Sequence, residues 1–280
     1  MDADTRFRTY LRILDDLGSP VRPRHLLLDL GCGAGNLVAA GRQRGYCVYG
    51  CDIGFKQGAR TEELATSGAI RKISLKPSYR LPFDDESVDY LVSDQVFEHV
   101  MDYDSCLREI HRLLKPGGAT LHIFPSRYMP IEPHVFVPFA TMYQREWWLR
   151  LWATLGIRKP SQRGESASSV GRGNYQYLTE HTNYLSKREI RERFARFFPD
   201  VKFAESAFLK HSERARILYK LSPVLPFLPA AYSCARSRVV FGNRGSAQPA
   251  GSRLSARRES GSREWDRTTD HLHVKEVLYH

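Results

Sequence analysis

Two histidines in this sequence stand where they could take a proton from a small acceptor molecule. His99 follows Glu98 and comes shortly after an apolar run at residues 88–93, which predicts a buried strand. The carboxyl ends of parallel strands form the ligand side of an open sheet, so His99 is our first candidate for a general base, with Glu98 beside it. His134 is the second candidate, because a single proline fixes the backbone between it and Glu132.

Each of these side chains also has a structural interpretation. A buried or capping histidine explains His99 equally well, and a hydrogen bond that braces a loop explains His134 equally well. Three tryptophans have helical spacing and favour a core role over a stacking platform for a sugar or lipid: Trp147, Trp148 and Trp152.

The element that must position this chemistry is a glycine-rich turn at residues 26–36, LLLDLGCGAGN. An apolar run that breaks at glycine predicts a central parallel strand, and residues 37–45 have a helical pattern. Glycine permits positive φ and lets a ligand approach the backbone, and the following helix directs its free N–H groups towards that ligand. A dinucleotide fingerprint needs glycine where Asn36 stands, and the stretch is not a triphosphate-binding loop.

A second motif extends this pattern. Asp52 ends the next predicted strand, residues 46–51, at a spacing typical of a carboxylate that accepts both hydroxyls of a ribose. The pattern D-x-G-x-G-x-G resembles motif I of the class I S-adenosylmethionine-dependent methyltransferases. Residues 81–126, with LPF before acidic residues and LKPGG later, resemble the type 11 subgroup of that family. The resemblance covers about residues 25–126 and implies that S-adenosylmethionine is the cofactor. It implies these cofactor-binding residues: Asp29, Gly31, Cys32, Gly33, Gly35, Asn36, Asp52, Ile53, Asp94 and Gln95.

The resemblance implies an α/β fold with a Rossmann-like, seven-stranded, mostly parallel sheet and helices on both faces. Four prolines at residues 125–138 and a helical pattern at 142–155 interrupt that core, so we expect a helical and loop insertion after strand five. The remaining strands are predicted at residues 69–75, 88–93, 119–124, 201–208 and 239–242. Further helices are predicted at residues 4–17, 55–67, 103–114, 142–155 and 186–198, and a mobile loop at 161–174. In this family the first helix usually lies across the mouth of the cofactor site. The family also has an acidic residue after strand three, which residues 74–80 lack, so Ser74 or a backbone group is left to contact the adenine.

The predicted activity follows from the cofactor. An activated methyl donor needs alignment with its acceptor, and a hydroxyl acceptor benefits from a nearby base. We expect transfer to oxygen of a small-molecule, saccharide or lipid-linked acceptor. The main alternative is a non-catalytic protein that binds cofactor or a partner through the same fold, against which the intact glycines and Asp52 argue. Asn36 and the LPF and LKPGG segments disfavour a nicotinamide oxidoreductase.

Charge is unevenly distributed along the 280 residues, because residues 142–243 carry +10 of the net +11. This excess indicates either a solvated, arginine-rich surface or attraction to an anionic acceptor or an anionic membrane face. The sequence contains no motif for base methylation and no known RNA-binding module, so we do not predict nucleic-acid binding. The five cysteines lack metal-binding spacing, and we expect packing thiols and no metal ligands.

The expected organisation is a single methyltransferase domain at residues 1–243, with an insertion at about 126–181. No apolar run approaches the roughly 20 residues of a membrane span, and residues 1–18 lack a signal pattern, so we expect a cytoplasmic protein. Residues 244–280 are rich in glycine, serine and arginine and predict a disordered tail. The sequence predicts no particular oligomeric state.

Overall fold

Seven strands form one sheet in the computed structural model, which describes residues 2–75, 79–212 and 215–246. The strands in chain order are Leu26–Leu30 (β1), Cys47–Asp52 (β2), Ile70–Lys72 (β3), Val88–Asp94 (β4), Leu114–Pro125 (β5), Asp200–Phe203 (β6) and Ser237–Asn243 (β7). Across the sheet the order is β3-β2-β1-β4-β5-β7-β6. Strand β7 is antiparallel to β5 and β6, and the other neighbouring pairs are parallel. The predicted Rossmann-like fold class is confirmed.

Helices cover both faces of this sheet. In the described residues they are Ala3–Asp16 (α1), Asn36–Gln43 (α2), Ala59–Thr66 (α3), Tyr103–Leu113 (α4), Glu146–Thr154 (α5), Ala167–His181 (α6), Lys187–Ala195 (α7), Glu205–His211 (α8), Arg216–Leu221 (α9) and Leu228–Ala235 (α10). Leu27 and Leu28 of β1 lie in different apolar clusters, because successive strand side chains point to opposite faces. Phe7 of α1 joins the first cluster, whereas Phe194 of α7 joins the second. None of the helices in the described ranges is long and apolar enough to cross a membrane.

The order of the strands reverses beside β1, which pairs with β2 on one side and β4 on the other. In open α/β sheets, ligands bind outside the carboxyl ends of the strands at such a switch point. Leu30 is paired with both Cys51 and Ser93, so the three strands end at nearly the same level. The glycine turn, Asp52 and Asp94 therefore meet at one edge of the sheet.

The LKPGG segment is incorporated into β5, which begins at Leu114, whereas the sequence predicted this strand only from residue 119. Val88 is paired with Leu114, whereas Tyr90 is paired with Ala119, so β5 contains extra residues that form a bulge. The bulge explains how proline and glycine are accommodated in this strand.

The prediction of a strand over residues 201–208 is wrong in its second half. Strand β6 ends at Phe203, and α8 follows. The Glu205 carboxylate is buried, where it accepts a 2.7 Å hydrogen bond from Ser233 Oγ and lies 4.0 Å from the Arg238 guanidinium. A buried carboxylate needs such partners, so the chain leaves the sheet edge where Glu205 turns inward.

The prediction of a mobile loop over residues 161–174 is also wrong, because α6 occupies its second half. Val170 and Leu178 are buried, two helical turns apart on the same face. A Cβ atom on Gly171 would lie 2.8 Å from the Arg150 backbone in α5. The glycine that suggested a loop therefore lets α5 and α6 pack closely.

The insertion after β5 has an apolar core of its own, formed by Val135, Val137, Ala140, Leu149 and Leu178. Trp148 and Trp152 pack against this core, and Trp148 Nε1 donates a 2.8 Å hydrogen bond to the carbonyl oxygen of Pro138. Trp147 is 53% exposed. The tryptophan stripe is therefore divided between two packing residues and one surface residue.

The chain still contacts the sheet just after β7. Arg244 donates a hydrogen bond to the carbonyl oxygen of Leu114 and pairs with Glu86 at 2.7 Å. Gly117 N donates to the carbonyl oxygen of Gly245. Residues 247–280, most of the predicted tail, lie outside the described residues.

Candidate functional site

The glycine turn is held by hydrogen bonds from its own backbone. Gly31 N and Cys32 N both donate to the carbonyl oxygen of Cys51, and Gly33 N donates to Asp52 Oδ2 at 2.7 Å. Gly31, Gly33 and Gly35 have φ values of +77°, +53° and +70°, in the region that favours glycine. The turn therefore depends on its sequence for its conformation and on β2 for its position.

The three glycines serve different purposes. A Cβ atom on Gly31 would lie 2.3 Å from Val96 Cγ2, and one on Gly35 would lie 2.5 Å from Leu64 Cδ1. These two glycines are needed because neighbouring side chains pack onto the turn. A Cβ atom on Gly33 would meet nothing within 4 Å in the described structure, so Gly33 is the glycine whose backbone is open to a ligand.

Three carboxylates lie around this turn. Asp52 Oδ1 accepts a hydrogen bond from Gly54 N, opposite the bond that its Oδ2 makes with the turn. Asp29 is buried, and its burial, together with the negative charges of Asp94 and Asp52, raises its pKa well above the ordinary value. Three carboxyl groups therefore crowd this edge of the sheet, where burial and the neighbouring negative charges make Asp29 reluctant to ionise.

Helix α1 closes over this acidic edge, as the family resemblance implied for the first helix. Tyr10 donates a 2.8 Å hydrogen bond to Asp94 Oδ2, and Arg6 lies 3.3 Å from the same oxygen. Neither residue could be predicted from the sequence, because contacts between α1 and β4 are long-range and leave no local signal.

The other predicted cofactor residues lie at the same edge but differ in accessibility. Cys32 is buried against Gly50, and Ile53 packs against the second apolar cluster. Asn36 begins α2, and its Oδ1 accepts a hydrogen bond from Arg60. Gln95 is exposed with φ +59°, a conformation that is uncommon for residues other than glycine. Such conformations concentrate at functional sites.

The adenine contact that the sequence left open is only partly described. Ser74 pairs with Arg80 in an isolated β-bridge, and Ile73 N donates to the carbonyl oxygen of Asp52. Residues 76–78 lie outside the described residues. The prediction that Ser74 or a backbone group serves here stays a prediction.

The three predicted catalytic side chains come together in space. Glu98 and His99 lie in a short 3₁₀ helix, Phe97–His99, just after β4. The rings of His99 and His134 are 4.8 Å apart between centroids, in an edge-to-face arrangement. One potential metal-ligating atom from each of Glu98, His99 and His134 lies within 4.8 Å of the other two.

A carboxylate orients His134. Glu132 is fully buried, and its Oε1 accepts 2.7 Å and 2.6 Å hydrogen bonds from His134 Nδ1 and the Tyr184 hydroxyl. Its Oε2 accepts from the backbone N–H groups of His134 and Val135. Although burial acts to raise the pKa of Glu132, these hydrogen bonds hold it below the ordinary value. The sequence signal for this dyad was the Glu132-Pro133-His134 segment, whereas Tyr184 was missed.

His99 is oriented by the chain that follows α6. Its Nδ1 lies 2.8 Å from the carbonyl oxygen of His181, and Asn183 N donates to the carbonyl oxygen of Glu98. Burial lowers the pKa of His99 below the ordinary value. Burial also raises the pKa of Glu98 to about 8, with Asp94 and Glu132 adding to the effect. At neutral pH this group therefore has a neutral imidazole at His99 beside a carboxyl group that is reluctant to ionise.

A polar cleft of ≈ 360 Å³ opens between the insertion and the segment after α6. Its lining includes two arginines, two tyrosines and two amides: Arg127, Arg145, Tyr143, Tyr184, Gln144 and Asn183. Tyr184 links the cleft to Glu132 and His134. The cleft is the right size for a small molecule and offers donors to hydroxyl or anionic groups.

Residues 28–121 match the model of a family described as a methyltransferase domain. A ubiquinone biosynthesis O-methyltransferase of Pseudomonas aeruginosa is 33% identical over 109 residues, which cover 37% of this chain and 47% of that protein. The methyltransferase GfsG of Streptomyces halstedii is 32% identical over 98 residues, which cover 34% of this chain and 35% of that protein. The match thus spans about half or less of the length of these relatives.

Solved structures resemble the chain at low sequence identity. Geranyl diphosphate C-methyltransferase from Streptomyces coelicolor A3(2) has a TM-score of 0.45 and 18% identity, and the match covers 85% of this chain and 79% of that chain. The YcgJ protein from Bacillus subtilis has a TM-score of 0.45 and 17% identity, with 85% and 99% covered.

Proposed function

We propose that this protein transfers a methyl group from S-adenosylmethionine to an oxygen of a small polar acceptor, because residues 28–121 match the model of a methyltransferase-domain family. The observation that carries the proposal is the pairing of an open Gly33 with Asp52 at the switch point of the sheet. S-adenosylmethionine supplies a methyl group that is already activated on a positively charged sulfur.

The residues at this edge fit that cofactor. Gly33 leaves its backbone accessible, and Asp52 is placed to accept hydrogen bonds from ribose hydroxyls. Ile53 offers an apolar surface beside the adenine. Asp29 and Asp94 repel each other, and a cationic amino group or sulfonium between them relieves that repulsion. The remaining predicted residues, Gly31, Cys32, Gly35, Asn36 and Gln95, shape the turn and its rim.

His134 is the better placed general base of the two histidines. Its Nδ1 is bonded to the Glu132 carboxylate, so the proton resides on Nδ1 and Nε2 keeps a lone pair. When Nε2 accepts a proton from an acceptor hydroxyl, the Glu132 charge stabilises the resulting imidazolium. His99 packs edge-to-face on His134 and restricts its ring. Glu98 completes the group, because one of its carboxylate oxygens lies within 4.8 Å of a ring nitrogen of each histidine.

The polar cleft favours an acceptor with hydroxyl or anionic groups. Arg127 and Arg145 are its two cationic side chains, and Tyr143 provides a ring that suits a sugar face. We therefore place the acceptor among small molecules, saccharides and lipid-linked compounds. The assignment of the transferred methyl group to oxygen follows from the histidine base, which a hydroxyl acceptor needs.

We also propose that α9 and the segment that connects it to α10, residues 222–227, touch an anionic membrane surface, as befits a lipid-linked acceptor. Ile217, Val224 and Phe227 are 69%, 78% and 60% exposed. Arg216 and Lys220 are exposed beside them. Apolar side chains next to cations are the combination that binds the boundary of an anionic bilayer.

Vesicle sedimentation tests this contact. Wild-type protein is expected to pellet with phosphatidylserine-containing vesicles and to remain in solution with phosphatidylcholine alone. Phe227→Asp is expected to abolish pelleting, whereas Leu155→Asp, at an exposed apolar position in the insertion, is expected to preserve it. Equal pelleting of both variants, or none by the wild type, removes the membrane proposal and leaves methyl transfer unaffected.

The rival proposal is a non-catalytic protein that binds cofactor through this fold. Isothermal titration with S-adenosylmethionine, S-adenosylhomocysteine and NAD identifies the ligand, and cell extracts screened for products heavier by one methyl group identify turnover. We expect both sulfur nucleosides to bind and NAD not to bind. Binding without any methylated product across such extracts supports the rival, and binding of NAD alone overturns both. The cytoplasmic location stays an untested prediction from the sequence, which predicts no particular oligomeric state.

Once an acceptor is known, histidine variants test the base. His134→Ala is expected to lower turnover by roughly 10²–10⁴-fold, the usual contribution of a general base, with little change in cofactor affinity. The matched control is His211→Ala, which removes a histidine that pairs with the surface carboxylate of Asp16. If His134→Ala and His99→Ala both keep full activity, neither histidine is the general base. Catalysis would then rest only on the alignment of the acceptor with the methyl group.

A further inference from the structure

We propose that Glu98, His99 and His134 form a binding site for a divalent metal ion of the zinc class, meaning zinc or a transition metal with similar ligand preferences. Their potential ligand atoms lie within 4.8 Å of one another. Two imidazoles and one carboxylate are a ligand set that proteins use for such ions while leaving coordination positions open. The sequence predicted no metal ligands, because these residues come from two distant segments that only the fold brings together.

Both imidazoles are already fixed in the form that binds a metal. His99 Nδ1 lies 2.8 Å from the carbonyl oxygen of His181, which can only accept, so the proton is on Nδ1. His134 Nδ1 lies 2.7 Å from the Glu132 carboxylate and is protonated for the same reason. Metal-binding histidines characteristically donate their second N–H group to a carbonyl or carboxylate in this way, which directs the lone pair of Nε2 towards the ion.

Glu98 supplies an independent indication of a missing partner. Its side chain is only 1% exposed. Among the described residues, neither of its carboxylate oxygens has a hydrogen-bond partner. A buried polar group without partners is costly, and a polar group in that situation often marks the place of an ion or water. A cation held by Glu98 and the two imidazoles satisfies these oxygens.

Binding requires a modest closure of the three side chains. A tetrahedral centre with metal–ligand bonds of about 2.0–2.1 Å places its ligand atoms about 3.3 Å apart. A separation as long as 4.8 Å must therefore shorten by up to about 1.5 Å. Rotation of the unbranched Glu98 side chain and of the two rings can supply that change.

The role of the metal, unlike the site itself, rests on the proposed methyl transfer. An open coordination position would hold the acceptor oxygen and make its hydroxyl more acidic, as bound metal ions do for water. The ion occupies the Nε2 lone pairs that otherwise accept the proton. In the metal-loaded protein, the charge of the ion would therefore replace His134 as the means of activating the acceptor.

Zinc titration of the full chain, after removal of metals with EDTA, tests the site. We expect one Zn²⁺ ion per chain by calorimetry, and Co²⁺ is expected to give visible absorption bands of low-symmetry nitrogen and oxygen coordination. Glu98→Gln and His134→Ala are each expected to weaken zinc binding by at least about 10-fold, and Glu132→Gln by about 10–100-fold through loss of orientation. His211→Ala, outside the cluster, is expected to bind zinc as the wild type does.

The S-adenosylmethionine affinity of each metal-free variant separates the possible failures. If zinc and Co²⁺ do not bind while S-adenosylmethionine does, the metal inference is overturned and the proposed function stands. If zinc binds equally to wild type, Glu98→Gln and His134→Ala, the ion lies elsewhere and the inference is again overturned. Zinc binding at this cluster without binding of S-adenosylmethionine supports the metal site and contradicts the methyltransferase proposal. A variant whose circular dichroism spectrum shows that it is unfolded does not test the site. In that case the Co²⁺ spectrum of the wild-type protein decides whether nitrogen and oxygen ligands bind the ion.

Discussion

Substitution of Gly33 by alanine isolates the space that the proposed cofactor occupies. The new Cβ atom meets nothing within 4 Å, and φ at this position is +53°. Gly45, at the other end of α2, has φ +77° and equally open space around its would-be Cβ atom. Gly33→Ala and Gly45→Ala therefore impose similar backbone strain, of about 1–2 kcal/mol each. For a domain of this size we expect each melting temperature to fall by about 2–8 °C.

The two variants should differ in cofactor affinity. A methyl group placed in a close-packed contact costs about 1–3 kcal/mol, which corresponds to a dissociation constant raised by about 5–150-fold. Gly33→Ala is expected to show this loss for S-adenosylmethionine, whereas Gly45→Ala is expected to bind as the wild type does. Calorimetric titration beside thermal melts separates affinity from stability.

Two results would refute this reasoning. Wild-type affinity in Gly33→Ala means that the cofactor does not approach the turn at this residue. An equal loss in Gly45→Ala means that strain transmitted through α2, and not occupied space, causes the effect. Loss of binding in Gly33→Ala counts as evidence only if the variant is folded. Its circular dichroism spectrum and a cooperative thermal melt distinguish a folded variant that fails to bind from an unfolded one.

Three further predictions concern the cofactor edge, the sheet and the tail. In calorimetry, Asp52→Ala is expected to weaken S-adenosylmethionine binding by about 1.5–3 kcal/mol. The substitution removes both the expected ribose contact and the hydrogen bond from Gly33 N. An unchanged affinity contradicts the proposed position of the cofactor. His122 is buried between Ser93 and Thr120, and burial lowers its pKa to about 3. At pH values between 6.5 and 3, the unfolded chain binds a proton at residue 122 that the folded chain does not, so the free energy of unfolding falls as pH falls through this window. Between pH 6.5 and pH 5 this residue should account for about 1.6 kcal/mol of that loss. Urea unfolding of His122→Gln at several pH values should lack this contribution. Truncation after residue 246 is expected to leave melting temperature and cofactor affinity unchanged, whereas truncation after residue 243 should lower the melting temperature, because it removes the bonds that Arg244 makes to Leu114 and Glu86.

The edge of the sheet formed by the glycine turn, Asp52 and Asp94 could be predicted from local sequence, because its determinants are local. An apolar strand, a glycine turn and a carboxylate at the end of the next strand suffice to place Gly33 beside Asp52. The need for glycine at Gly31 and Gly35 to leave room for packed side chains could not be predicted. Those side chains, Val96 and Leu64, come from other parts of the chain. The serine- and glycine-rich composition of residues 161–174 predicted a mobile loop, whereas residues 167–174 form the first half of the packed helix α6.

The group formed by Glu98, His99 and His134 was predictable only in outline. His99 and His134 were recognised as candidates from residue type and position, and the fold brings their rings together. The partners that decide their tautomers, the His181 carbonyl oxygen and the Glu132 carboxylate, depend on how the insertion folds back. The contact of Tyr184 with Glu132 could not be predicted, because no local pattern distinguishes this tyrosine from others in predicted connecting segments. Long-range packing, which a single sequence does not encode in a local pattern, accounts for these omissions.

The separate core of the insertion has a consequence for how this protein can change over evolutionary time. Val135, Leu149 and Leu178 pack with one another and belong to neither apolar cluster of the sheet. Substitutions in cores that share no partners usually change stability additively, so the cost of reshaping one core does not depend on the residues of the other. Under the proposed function, replacement of the stretch after β5 as one unit would change the acceptor, provided that the bonds from Asn183 N to the Glu98 carbonyl oxygen and between His99 Nδ1 and the His181 carbonyl oxygen are retained. The glycine turn and Asp52 would pass unaltered through such an exchange.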